Sequence, residues 1–263
     1  MSQLYLLAVG VNQFRDPDIR PLRWAVNDAE KLYARFTGGK VKNAVRGRLL
    51  VDEAATLDAF KEGVGEWVAN EASEDDSVLV YVASHGCPEI RDTNPGELEK
   101  FLLLHDSSHL RPYSTAFSLT AELPPLLRRI RASNVVVALD CCFSGASKTC
   151  RSIEGHRLRL ARLTAGGNAL SAILRHRGAR LELGEGRTLL LACGADECSE
   201  EDDALEQGVF TYFLLEALTR TRSLTTNITQ LYESVAKQVV LHTEGRQNPV
   251  LDGRIQRQML PIP

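Results

Sequence analysis

The stretch Ser77-Val78-Leu79-Val80-Tyr81-Val82-Ala83-Ser84-His85-Gly86 decides the fold class. From Val78 to Ala83 every side chain is apolar. A strand with one face in water alternates apolar and polar residues, whereas a strand covered on both faces does not, so this run predicts the interior of a mostly parallel sheet sandwiched by helices. The histidine and glycine come where such a strand must end, and the carboxyl ends of strands are where sites form in these sheets. A second run of the same kind, Asn134-Val135-Val136-Val137-Ala138-Leu139, leads directly into Asp140-Cys141-Cys142-Phe143-Ser144-Gly145.

Working outward, short apolar runs predict further strands at Leu4 to Val11, Arg48 to Val51, Phe101 to Leu104 and Thr188 to Cys193, all in the sheet interior. Between them, apolar residues recurring at threes and fours predict helices at Trp24 to Phe36, Thr56 to Ala72, Ala121 to Arg131, Val209 to Thr219 and Asn227 to Leu241. Proline suits a first helical turn but not an interior, so Pro124-Pro125 places the start of the third helix near there. The alternation of strands and helices makes the class α/β. Residues 146–186, rich in arginine and glycine with scattered apolar positions, read as an exposed, partly helical insertion.

A chain of 263 residues, 44% hydrophobic and 25% charged, is expected to form one domain over residues 1–263. A net charge of -3 offers no basic field, so nucleic acid is not an expected partner. No apolar run approaches the roughly 20 residues that span a bilayer. The opening MSQLYLLAVGVN has neither a basic region nor a cleavage site, so neither membrane nor export is expected and the location is read as cytoplasmic. Cysteines at 87, 141, 142, 150, 193 and 198 are too sparse for a disulfide framework, and none forms a Cys-x-x-Cys pair, so reduced thiols and no metal are expected.

Cys142 and His85 each follow a buried strand, and two strand ends on one sheet edge can meet. A thiol with a pKa of about 8.5 is mostly protonated at neutral pH, and a nearby histidine can draw off its proton. The same imidazole can return a proton to a leaving amine. Backbone N–H groups of Gly86 and Cys142 can hold a developing oxyanion, and glycine after the histidine lets a substrate carbonyl come close.

Strand-Ser84-His85-Gly86 followed by strand-Asp140-Cys141-Cys142-Phe143-Ser144-Gly145 resembles the catalytic signature of metacaspases and other caspase-fold peptidases. The interval from His85 to Cys142 is close to the roughly 50 residues of caspases. The resemblance extends over nearly the whole chain, through Gly10 and Asn12, Ala25-Val26-Asn27-Asp28, the segment from Gly208 to Leu218, and Gln247-Asn248-Pro249. It implies a cysteine endopeptidase of caspase fold in which the cysteine two places after the aspartate, Cys142, is the nucleophile and Cys141 a packed bystander. It also implies that Asp28 and Asp140, with Ala83, line the pocket for the substrate side chain. Two carboxylates there suit a guanidinium or ammonium group, so cleavage after arginine or lysine of a protein substrate is expected, not after aspartate.

Calcium-dependent metacaspases carry clustered aspartates, whereas here Glu89, Asp92, Glu97, Glu99 and Asp106 are scattered. No cofactor is expected, with calcium the alternative. The insertion lies where caspase-like enzymes are often cut, which makes Arg151, Arg157, Arg159 and Arg162 candidate sites for self-cleavage or for an upstream protease. Zymogen control, by cleavage or by a regulatory protein, and a role in microbial cell death or antiviral defence follow from the resemblance alone.

Plainer readings stand beside these. Cys87, Cys141 and Cys193 read as buried small apolar residues. His105, His109, His156, His176 and His242 belong to no motif. The acidic run from Glu197 to Asp203 reads as a solvated loop, and Asp28 has a second reading as a surface residue of an amphipathic helix. The competing classes are a caspase-fold adaptor without activity and a redox protein working through Cys141 and Cys142.

Overall fold

The structure, a computed structural model, describes residues 2–38, 44–90, 98–142, 183–194, 197–221, 223, 225–253 and 259–261. The strands are β1 (Leu4–Gly10), β2 (Val45–Val51), β3 (Ser77–Ala83), β4 (Gly86–Ile90), β5 (Leu98–Leu102), β6 (Phe117–Ser118), β7 (Asn134–Asp140), β8 (Arg187–Leu191), β9 (Glu201–Asp202), β10 (Gln207–Gly208), β11 (Thr225–Asn227), β12 (Val250–Gly253) and β13 (Met259–Pro261). The main helices are α1 (Ala25–Thr37), α2, α3 (Leu123–Arg129), α4 (Val209–Arg220) and α5 (Ile228–His242). Helix α2 runs through Leu57–Glu62, a π-helical stretch Gly63–Val68 and a last turn Ala69–Glu71.

Six strands form the central sheet in the order β12-β8-β7-β3-β1-β2. Five are parallel, and β12 closes one edge antiparallel to β8. Alternate residues of a strand face opposite sides, and both sides are apolar here. Leu6 and Ala8 of β1, Leu79 and Tyr81 of β3, and Val136 and Ala138 of β7 pack with α1, α4 and α5. Leu7 and Val9, Val80 and Val82, and Val137 and Leu139 pack with α2 and α3 on the other side. This is an α/β sandwich, and the uninterrupted apolar runs of β1, β3 and β7 are its direct consequence.

Helix α1 lies hard against β1. A Cβ built on Gly10 would meet the Ala25 carbonyl oxygen at 2.5 Å and the Ala29 Cβ at 2.8 Å, so only glycine permits this approach. Leu123, at the start of α3, precedes Pro124-Pro125, which occupy the first turn where their missing N–H groups cost nothing.

Two strand expectations fail. Arg48 to Val51 lies in β2 at the edge of the central sheet and is only partly buried, because β2 has a neighbour on one side alone. Phe101 to Leu104 is not in the central sheet; Phe101 and Leu102 belong to β5, in a separate three-stranded antiparallel sheet ordered β4-β5-β6. Its apolarity has another cause: Leu102 and Leu104 bury against the α2 and α3 core while Phe101 and Leu103 pack with Ile19, Cys87 and Ala116. The edge strand β12 escaped detection because its four residues are only partly buried and carry no uninterrupted apolar run. The proposed insertion lies outside the described residues up to position 182.

Candidate active site

β3 and β7 pair in parallel with Ala83 opposite Asp140. Pairing continues for one more residue, the Ser84 N–H donating to the Asp140 carbonyl at 3.4 Å. His85 and Cys142 each stand two residues beyond a matched pair, so they leave one sheet edge from strands about 4.8 Å apart. Gly86 follows as the first residue of β4, opposite Leu102.

His85 is held from several sides. Its carbonyl accepts the Leu103 N–H at 3.0 Å, and the Ser84 hydroxyl donates to the Leu103 carbonyl at 2.6 Å, which clasps the turn between β3 and β4. The imidazole Nε2 lies 2.7 Å from the main-chain carbonyl of Arg20, and the ring packs 5.3 Å from that of Phe14. A carbonyl only accepts, so Nε2 carries the proton and Nδ1 is the nitrogen that can take one up.

Cys142 is fully buried, and its thiol donates to the main-chain carbonyl of Glu197 at 3.0 Å. Cys193, just past β8, has two alternative acceptors for its single thiol proton, the same carbonyl at 3.4 Å and that of Cys141 at 3.6 Å. The Cys193 pKa is pushed well above the ordinary thiol value, first by a hydrogen bond with Cys142, then by burial and by charge on Cys142, Cys141 and Asp140. Glu197 is itself anchored: its carboxylate accepts the N–H and side-chain amide of Asn248, both at 2.7 Å, and the Gly194 N–H at 3.1 Å. Cys141, one residue earlier, points to the opposite core with Val137 and Leu139.

Asp140 and Asp28 are both buried and lie at the amino end of α4. Asp140 accepts from the Ser199 hydroxyl at 2.6 Å and the Thr211 hydroxyl at 2.5 Å, and the Tyr81 hydroxyl is 2.5 Å from that of Thr211. Because Thr211 spends its one proton on Asp140, Tyr81 donates to Thr211. The Gln247 amide extends the network, donating to the Ala192 carbonyl at 3.0 Å and to the Ser199 hydroxyl at 3.4 Å. Asp28 accepts the Gly208 N–H at 3.0 Å and the Gln207 amide at 3.3 Å. Its reading as a surface residue is therefore wrong: helix α1 turns it inward, under β10. Ala83 is buried on the same side of the sheet.

The acidic run is not a freely solvated loop either. Glu201 accepts the Trp24 N–H at 2.9 Å, Asp203 accepts from the Trp24 indole at 2.8 Å and pairs with Arg23, and Glu200 pairs with Arg246 at 2.9 Å. These carboxylates fasten the segment to the entry of α1 and the exit of α5. The calcium candidates are dispersed: Glu99 is buried and bonded to Ser118 and Thr120, Asp106 accepts the Leu57 N–H at 2.9 Å, and the Glu89 side chain, Asp92 and Glu97 lie outside the described residues. Among the described residues, a different set, Asp16, Asp18 and His109, gathers potential metal-ligand atoms within 4.8 Å, and there Asp16 takes both the main-chain N–H and the ring Nδ1 of His109. Arg151, Arg157, Arg159 and Arg162 fall outside the described residues.

Several residues of this region had no signal in the sequence. Arg20 and Glu197 act through main-chain carbonyls, which any residue possesses. Ser199, Thr211 and Phe14 matter because of what the fold sets beside them.

Among the described residues no helix is long and apolar enough to cross a membrane. A search of curated proteins finds no match. Among solved structures, a protein of Geobacter sulfurreducens superposes with a TM-score of 0.67 at 20% identity, covering 95% of this chain and 92% of that one. Caspase-1 from Spodoptera frugiperda superposes with a TM-score of 0.61 at 12% identity, covering 99% and 90%. At such identities these likenesses speak for the fold. The family model for the caspase domain of the C14 peptidases matches residues 4–260, and the chain belongs to that family of cysteine peptidases.

Proposed function

We propose that the chain is a cysteine endopeptidase that cleaves proteins after arginine or lysine, with Cys142 as nucleophile and His85 as proton carrier. The observation that carries this reading is the parallel register of β3 and β7, which delivers both residues to one sheet edge. His85 accepts the thiol proton at Nδ1 while the Arg20 carbonyl holds Nε2–H and so sets the ring's orientation. The thiolate adds to the peptide carbonyl, and the N–H groups of Gly86 and Cys142 take the oxyanion. His85 then protonates the leaving amine, and water hydrolyses the thioester to free Cys142.

Asp28, Asp140 and Ala83 form the substrate side-chain pocket. The amino end of α4 favours negative charge between Gly208 and Thr211, where the two carboxylates would receive a guanidinium. The protein works in the cytoplasm without cofactor, nucleic acid or membrane, is held as a zymogen until an upstream protease or regulatory protein acts, and serves microbial cell death or antiviral defence.

A second reading, a caspase-fold adaptor without activity, is favoured by the resting hydrogen bond of Cys142 to Glu197 and the full engagement of both aspartates. Paired fluorogenic peptides ending in arginine or aspartate, with and without calcium, decide between them. Arginine cleavage that vanishes in Cys142→Ala supports the peptidase. Silence that persists after the 146–186 segment has been cut supports the adaptor.

A further inference from the structure

Cys142 does not stand alone. Its thiol and that of Cys193 converge on one acceptor, the Glu197 carbonyl, at 3.0 and 3.4 Å. With the partly buried Cys198 they form a small cluster of their own. The backbone permits a bridge. β7 and β8 are parallel neighbours with Leu139 opposite Leu191, and the Ala192 N–H still donates to the Leu139 carbonyl at 2.9 Å. Cys142 and Cys193 thus leave adjacent strands about 4.8 Å apart and one step out of register, within the roughly 4.4–6.8 Å between Cα atoms that a disulfide spans. Cys141 packs in the opposite core, whereas Cys193 has left the strand and clusters with Cys142.

We propose that Cys142 and Cys193 are an oxidative modification site, at which a hydroperoxide drives reversible formation of a disulfide between them. The Cys142 thiolate attacks the peroxide, the O–O bond breaks, and Cys142 becomes a sulfenic acid while the alcohol or water departs. The Cys193 sulfur then attacks the Cys142 sulfur, and hydroxide leaves with the Cys193 proton as water. The two thiols together lose two electrons and the peroxide gains them. A dithiol reductant restores both thiols. The bridge guards the Cys142 thiol against irreversible sulfinic oxidation.

The bridge itself does not depend on catalysis; its consequence, a peptidase switched off by peroxide, rests on Cys142 being the nucleophile. The full-length chain is therefore treated with hydrogen peroxide, alkylated, digested with trypsin and a glutamate-specific protease that cuts after Glu197, and mapped by mass spectrometry. A Cys142–Cys193 linked peptide that dithiothreitol abolishes is the expected result, with Cys142 passing to sulfinic acid in Cys193→Ser and in the separately made Cys193→Ala. A Cys142–Cys198 or Cys141–Cys142 link, or sulfinic Cys142 beside an alkylated Cys193 in the wild type, overturns the proposal. Peptide cleavage is assayed in parallel: the linked peptide without any cleavage in reduced protein counts against the peptidase alone, and cleavage without the linked peptide counts against the disulfide alone.

Discussion

The Cys142 thiol donates its hydrogen to the main-chain carbonyl of Glu197 across 3.0 Å. A thiol so engaged keeps its proton, and a carbonyl gives it no help towards ionisation, so this arrangement is a resting one. The carbonyl stays in place because the Glu197 side chain is bound to Asn248 and Gly194. Glu197→Ala should accordingly speed iodoacetamide labelling of Cys142 and lower unfolding free energy by about 1–3 kcal/mol. Labelling no faster than wild type would show that the thiol's environment does not depend on that anchor.

Removing the sulfur tests the chemistry directly. Cys142→Ala should reduce cleavage after arginine by roughly a thousandfold or more, while its circular dichroism and melting curve stay those of the wild type. Residual cleavage near wild-type rates would place the nucleophile elsewhere.

Asp140 joins stability to specificity. It takes both the Ser199 and Thr211 hydroxyls, so Asp140→Asn turns an amide N–H towards one of two donors and should cost about 1–3 kcal/mol. If Asp140 also receives the substrate guanidinium, KM for arginine peptides rises more than kcat falls. The kcat-against-KM comparison is informative where stability alone is not, because Thr211→Val should disturb the network while leaving the carboxylate charge in place.

At Gly10 the issue is packing. An added methyl would press on the Ala25 carbonyl and Ala29, where α1 meets β1, so Gly10→Ala should lower the urea midpoint by the equivalent of about 1–3 kcal/mol. An unchanged midpoint would mean that α1 can shift away from the sheet.

Acid should destabilise the fold in a defined direction. Burial raises the Asp76 carboxyl pKa, but hydrogen bonds from the Gln3 and Ser73 N–H groups and the Ser73 hydroxyl outweigh it and hold the value below the ordinary 3.8. A folded-state value below the unfolded one means the contribution is whole above the unfolded value and is lost as pH falls through the folded one. Melting temperature should thus hold from neutrality to near pH 4, then drop. Asp76→Asn should be less stable at pH 7 and lose less on acidification. A parallel decline in both proteins would contradict this assignment.

Read alone, the sequence determined the elements whose identity rests on local pattern. The apolar runs of β1, β3 and β7 and the amphipathic periods of α1, α4 and α5 are properties of neighbouring residues, and they place His85 and Cys142 at strand ends without reference to the rest of the chain. Distant pairings had no such signature. That Phe101 leaves the main sheet for a small one, that Asp28 turns under β10, and that the acidic run is fastened to Arg23, Trp24 and Arg246 depends on contacts between residues far apart in sequence. So does the meeting of Cys142 with Cys193. A main-chain carbonyl such as that of Arg20 or Glu197 has no side-chain signature, so only the tertiary structure, by closing the sheet and folding its loops over the edge, could decide which carbonyls face the imidazole and the thiol.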